Sequence, residues 1–266
     1  MQASGQMLVV LCALCALPVF AADATVSSHT LASNISLVSN YVFRGIAKTS
    51  SNPAVQGGMD YAHASGLYAG LWGSPVSWII DSGAVDTAQY GRPTTEADIY
   101  FGYKNSLATD YHFDAGLIRY NYLGNYTAAS GYALADTAEV YGAISYKFLT
   151  VKYSWSVLDQ FMTIRDTKGT NYIELNARYN VPDSDYTLNA HIGKQTYTGK
   201  TAATLESNGT SASYADYRLG IARDFSGYSL ALTYTHTNAS SFYTYARTIG
   251  GNWAGPATAV SLTRSF

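Results

Sequence analysis

Twelve short segments between residue 34 and Phe266 alternate apolar with polar residues, and long loops and short turns connect them in strict alternation. This period of two constrains the fold more than any other property of the chain, because successive side chains of a strand point to opposite faces of a sheet. In 95–104, Ala97, Ile99, Phe101 and Tyr103 share one face, while Glu96, Asp98, Tyr100 and Gly102 share the other. In 150–158, Val151, Tyr153, Trp155 and Val157 oppose Lys152, Ser154 and Ser156. In 172–181, Ile173, Leu175, Ala177, Tyr179 and Val181 oppose Glu174, Asn176, Arg178 and Asn180. A helix would scatter each set around its circumference. Ten residues at about 3.3 Å each, tilted by about 45°, rise about 23 Å, close to the apolar band of about 25 Å on a membrane-spanning β-barrel.

The pattern predicts strands at 34–44, 54–63, 66–74, 95–104, 111–122, 138–148, 150–158, 172–181, 186–196, 214–224, 228–237 and 257–266. The short connections carry Gly, Asn, Asp or Pro, which supply turn geometry. An even number of antiparallel strands with five short and six long connections closes as a transmembrane barrel. Both termini and the short turns then lie in the periplasm and the long loops outside. A soluble sandwich would put its large apolar residues inward. Here the faces opposite the large residues mix charge with Gly, Ser and Ala, as a lumen would.

Residues 7–20 form an apolar run of 14 that ends in Val19-Phe20-Ala21, so 1–21 reads as a cleaved secretory signal peptide. The run is too short to span a bilayer comfortably as a helix. An N-terminal segment, 22–33, would then precede the barrel, 34–266. Cys12 and Cys15 both fall inside the signal, so the mature chain has no disulfide, thiolate nucleophile or cysteine-held zinc. No metal or cofactor motif is present, and a formal charge of -2 gives no basis for a nucleic-acid partner. Only 13% of the residues are charged and 24 are Tyr, which suits a wall covered by membrane lipid with aromatic rings at headgroup depth.

On this register the inward candidates are Arg44, Asp60, Glu96, Asp98, Asp114, Glu139, Lys147, Lys152, Glu174, Arg178, Asp216 and Arg218. Asp114, Lys147 and Lys152 should form an ion-paired ladder near the periplasmic end. Glu96, Asp98 and Glu139 lie nearer the outer end with no obvious inward base between them, and form the candidate for cation selection. Eight strands are filled by their own side chains and 16–18 leave a wide channel, so twelve predict a narrow lumen or one obstructed by loops. The loops 75–94 and 238–256 are candidate plugs, and their Trp78, Tyr243 and Trp253 either pack there or contact a ligand or lipid headgroups. Of five histidines, only His191 and His236 sit on long-strand positions with serines nearby, and neither carries a local catalytic signature.

The stretch Tyr41-Val-Phe-Arg-Gly-Ile46, followed by Asn52-Pro-Ala-Val-Gln-Gly-Gly-Met-Asp-Tyr61 and Gly66-Leu-Tyr-Ala-Gly-Leu-Trp72, resembles the start of the TorF-like porins, a proteobacterial family long catalogued as of unknown function. Glu96-Ala-Asp-Ile-Tyr-Phe-Gly-Tyr103, Glu139-Val-Tyr-Gly142 and Tyr172-Ile-Glu-Leu175 agree with it, so the resemblance covers nearly all of the mature chain. It implies an outer-membrane barrel and carries no catalytic residues. The closing Ala257-Thr-Ala-Val-Ser-Leu-Thr-Arg-Ser-Phe266 looks like the last strand of Gram-negative barrels, whose terminal aromatic residue, here Phe266, is read by the barrel-assembly machinery. The resulting expectation is a narrow passive channel for small solutes. A non-conducting barrel with partner-binding loops and an outer-membrane lipid hydrolase are the alternatives.

Overall fold

The computed structural model describes residues 27–86, 92–239, 241–245 and 251–266; the expected signal peptide, 1–21, lies outside them. Twelve antiparallel strands close into one barrel. They are β1 (His29–Val38), β2 (Ala54–His63), β3 (Leu67–Pro75), β4 (Thr95–Ala108), β5 (Tyr111–Leu123) and β6 (Thr137–Tyr146). The second half comprises β7 (Leu149–Ser156), β8 (Asn171–Asn180), β9 (Tyr186–Thr196), β10 (Tyr214–Phe225), β11 (Tyr228–Thr237) and β12 (Ala257–Ser265). Each strand pairs with its sequence neighbour, and β1 closes the seam against β12 with Asn34 opposite Ser265. At that seam the Phe266 amide donates to the Ser33 carbonyl at 2.8 Å and the Ser33 amide returns a bond at 3.2 Å. Closure leaves no unpaired edge, which a strand surrounded by lipid requires.

The alternation seen in the sequence is the inside and outside of this cylinder. Leu71, Phe101 and Leu219 are more than half exposed, at 54%, 55% and 63%, whereas Glu96 and Glu139 on the opposite face are at 1% and 0%. A surface so apolar is stable against hydrocarbon and unstable in water. Where the short turns lie, Tyr111 stacks on Tyr146 and Phe148 meets Tyr179 edge-on, forming part of an aromatic band of the kind found at membrane interfaces. The β10–β11 turn needs only Ser226 and Gly227, both at positive φ, as a two-residue hairpin that follows the strand twist requires.

Several boundaries differ from the sequence expectation: β4 runs on to Ala108 where 104 was expected, and two further differences bear on the lumen. The first strand is His29–Val38 rather than 34–44, because after Val38 the chain leaves the wall and turns into the lumen. Asn40, Tyr41, Phe43, Ile46 and Lys48 are all buried there. Lys147 is not lumenal: its φ of +52 ends β6 at Tyr146, and the exposed side chain lies 5.2 Å over the Tyr146 ring. The long loops gather at the opposite end of the barrel from the turns and share a core that includes Phe43, Trp78, Ile79, Tyr122, Phe161 and Tyr197. Among the described residues they carry two α-helices, α1 (Trp78–Asp81) and α2 (Gly199–Ser207).

Candidate pore

The element that shapes the lumen is a small hairpin, Val42–Phe43 paired with Ile46–Ala47, between β1 and β2. Its tip is Arg44-Gly45, both at positive φ (47° and 78°). Gly45 is required twice over. Its backbone conformation disfavours a side chain, and a Cβ there would lie 2.7 Å from both Asp216 Cβ and Thr237 Cγ2 on the wall. The hairpin therefore spans the lumen until its tip touches β10 and β11.

Arg44 then reaches the remaining wall. Its guanidinium donates to both Glu139 oxygens on β6 at 3.0 and 2.7 Å and to Gln195 Oε1 on β9 at 2.8 Å. It also sits 4.1 Å over the Tyr172 ring of β8. Burial alone would lower the proton affinity of this group. The Glu139 carboxylate, together with Tyr120 and Tyr172, outweighs that effect and holds it above the ordinary arginine value. A two-pronged, dry pairing of this kind is strong only while both partners are present.

The hairpin tail is tied as firmly. The backbone carbonyl of Lys48 accepts from the Ser77 and Trp78 amides at 2.8 and 3.2 Å, and Ala47 N–H donates to Trp253 O at 2.9 Å. Ser50 Oγ hydrogen-bonds Ser77 Oγ at 2.7 Å and also Asp81. The loops expected to plug the barrel, 75–94 and 238–256, thus brace a plug made by the shorter loop before them. Trp78, Tyr243 and Trp253 are buried in that packing.

The hairpin also changes the reading of the acidic patch. Glu139 has its base in Arg44. Lys48 lies 3.9 Å over the Trp78 ring, and its charge acts on both Glu96 and Asp98, which are buried; Tyr41 Oη donates to Glu96 at 3.3 Å. The bases missing from the intervening strand are supplied by the plug.

Beyond the Arg44 contact runs a polar belt. Tyr172 Oη donates to Asp216 Oδ1 at 2.8 Å, and His191 Nε2 lies 2.9 Å from Asp216 Oδ2 and 2.8 Å from Tyr172 Oη. His191 Nδ1 is 2.7 Å from Asn176 Oδ1 and 3.5 Å from Glu174, and Asn176 donates to Glu174 at 2.8 Å. Of the two histidines on long-strand positions, His191 is engaged by Tyr172, Asn176 and Asp216, and His236 is on the outer face.

Nearer the turns, Asp114 and Lys152 lie in one cluster with two tyrosines, and Lys147, expected in an ion-paired ladder with them, lies outside it. Tyr68 Oη donates to Asp114 at 2.5 Å and hydrogen-bonds Tyr141, while Lys152 and Lys104 stand 4.0 and 4.8 Å over the Tyr141 and Tyr68 rings. Lys104, not Lys147, completes the group. Asp60 accepts from Tyr100 Oη on the same wall. Arg178 and Arg218 face the lumen as expected, half-buried, from β8 and β10. Among the residues absent from the inward set read from the sequence, Lys104, His191 and Gln195 were legible from the alternation of their strands. Lys48 was not, since it belongs to a loop.

Two cavities flank the hairpin. One of about 400 Å³ lies among the loops, lined by Phe43, Trp78, Tyr132, Phe161, Tyr197 and Tyr243 with Lys48 and Asp81. The other, about 180 Å³, follows the β10–β12 wall from Ser229 and Ser265 near the turns to Thr235 and Val38 near the loops, under Tyr41 and Val42. The hairpin is the septum between them.

A closed twelve-stranded barrel with an apolar outside and a polar, partly occupied lumen defines the class: a transmembrane β-barrel. The chain belongs to the family described as "Bacterial protein of unknown function (Gcw_chp)", whose model matches residues 21–266. No curated protein sequence matches it. Among solved structures it is similar to a KdgM porin, with 8% identity over 88% of this chain and 99% of that one at a TM-score of 0.51. It is also similar to a NanC porin, with 10% identity, 89% and 99% coverage and a TM-score of 0.51. A KdgM porin in complex with disordered oligogalacturonate gives 7% identity, 89% and 99% coverage and a TM-score of 0.50. At such identities the likeness establishes a common fold.

Proposed function

We propose that this chain is a porin of the Gram-negative outer membrane that passes small solutes without an energy source. It is exported by its amino-terminal signal and inserted with its short turns in the periplasm. The observation that carries the reading is the pair of cavities divided by a single hairpin: the barrel is constricted at one level and left unfilled on either side. The porin folds it matches and the resemblance of residues 41–72 to TorF-like porins support the same reading. Twelve strands enclose more room than their own side chains fill, and the hairpin takes up part of the remainder.

The test is conductance of the refolded full-length barrel in planar bilayers, beside a variant in which residues 41–47 are replaced by a Gly/Ser linker. The wild type should give small steps and the variant larger ones. If neither conducts while both migrate as heat-modifiable barrels, the channel reading fails. The non-conducting alternative, with a ligand at the loops, would then rest on the aromatic lining of the larger cavity.

A further inference from the structure

The cations of this lumen fall into two groups. Arg44 is locked to Glu139, Lys48 lies over Trp78, and Lys104 and Lys152 lie over tyrosine rings. Arg178 and Arg218 differ: neither guanidinium hydrogen-bonds or ion-pairs with any described residue. Both point inward, and Asn189 of β9 stands between them, directly opposite Arg178 in register. All three line the smaller cavity.

The acids that should neutralise them are engaged elsewhere. Glu174 is four residues from Arg178 along β8 and is held by Asn176 and His191. Asp216 is two residues from Arg218 along β10 and is held by Tyr172 and His191. The polar belt thus draws both carboxylates toward the hairpin and leaves two guanidinium forks facing the chamber. A guanidinium is charged at every physiological pH, and its planar donors match a carboxylate or phosphate in two-pronged fashion. Two such groups on a low-dielectric wall concentrate anions at their surface. The adjoining strands β11 and β12 offer Ser229, Thr233 and Ser261 to the polar body of a solute.

We propose that Arg178, Asn189 and Arg218 form an oxyanion subsite on the turn side of the hairpin, which takes the carboxylate or phosphate of a small organic solute and makes the lumen prefer anions to cations. The proposal rests on the channel reading for the route of the solute; the binding chemistry stands without it.

The experiment uses the full-length barrel and an Arg178→Gln, Arg218→Gln double variant, both checked for heat-modifiable migration. Because the two arginines have no partner among the described residues, the double variant should fold. Under a potassium chloride gradient the wild type should show a reversal potential on the chloride side, lost in the double variant. Gluconate and glucose 6-phosphate, added separately, report the carboxylate and phosphate forms of the ligand. Either or both should reduce the wild-type current where glucose does not, and the double variant should respond to none. Arg178→Lys with Arg218→Lys should keep the reversal potential and weaken the block, since charge survives and the fork does not. A reversal potential unchanged by the double glutamine variant, or block by glucose equal to that by the anions, overturns the proposal and leaves the channel intact. If no variant conducts, thermal unfolding in detergent decides. A midpoint raised by gluconate or glucose 6-phosphate in the wild type alone supports the subsite without the channel, and no shift overturns both.

Discussion

The two sides of this lumen are built from different residues. From β3 to β8 the inward positions carry Tyr68, Tyr100, Tyr120, Tyr122, Tyr141 and Tyr172, all buried. Four of these rings lie against glycines of the adjoining strand: Tyr68 on Gly102, Tyr100 on Gly70, Tyr141 on Gly116 and Tyr172 on Gly193. From β10 through β12 the same positions carry Gly220, Ala222, Ser229, Ala231, Ala259 and Ser261, and the smaller cavity follows them. The sheet is continuous, so the difference lies in side-chain volume alone. The filled side supplies packing and the groups that grip Arg44, and the sparse side leaves the smaller cavity.

The largest effect should come from losing the seam of the sparse side. Deleting Phe266 removes the pair of backbone bonds to Ser33 and the terminal ring; heat-modifiable barrel should largely disappear from membrane fractions, and an undiminished amount would count against Phe266 as an assembly determinant. Next, Arg44→Ala cuts the hairpin from the filled side and leaves Glu139 buried without its base, at a cost of about 3–5 kcal/mol. Cleavage within 39–53 under limited proteolysis and larger conductance steps should appear together. A paired test then contrasts the walls directly. Gly193→Ala drives a methyl into Tyr172 and should lower stability to urea by about 1–3 kcal/mol. Gly220→Ala meets Thr233 Oγ1 only at 3.3 Å and should change it by less than about 0.5 kcal/mol. Equal effects would erase the distinction. Ala231→Trp should leave unfolding nearly unchanged and reduce conductance by occupying the sparse side. Smallest of all, Glu96→Gln should leave the reversal potential where it is, because that carboxylate is buried beside Lys48 and Tyr41 rather than exposed to the cavity along the other wall.

The strands were legible because lipid outside and a polar lumen inside impose the shortest possible period, and β2 through β12 fall close to where that period placed them. The exception shows the limit of the signal. Tyr41, Val42 and Phe43 are as apolar as a lipid-facing run, yet they serve the inside of a plug. Alternation records that a residue avoids water and not which dry environment receives it. The candidate pore was legible in the same measure. Asp60, Glu96, Asp98, Asp114, Glu139, Lys152, Glu174, Arg178, Asp216 and Arg218 do face inward. Their partners were hidden, because the pairings of Arg44 with Glu139 and Gln195 join positions 95 and 151 residues apart. No local pattern encodes a contact that depends on how a loop crosses a closed cylinder.

That crossing orders events in time. Arg44 belongs to the first connection of the barrel, whereas the groups it needs stand on β6, β8 and β9, and the pocket for Gly45 is made by β10 and β11. The hairpin can finish docking only after nearly the whole chain has found its register. A barrel that has just closed therefore has a less filled lumen than the mature one until the hairpin docks.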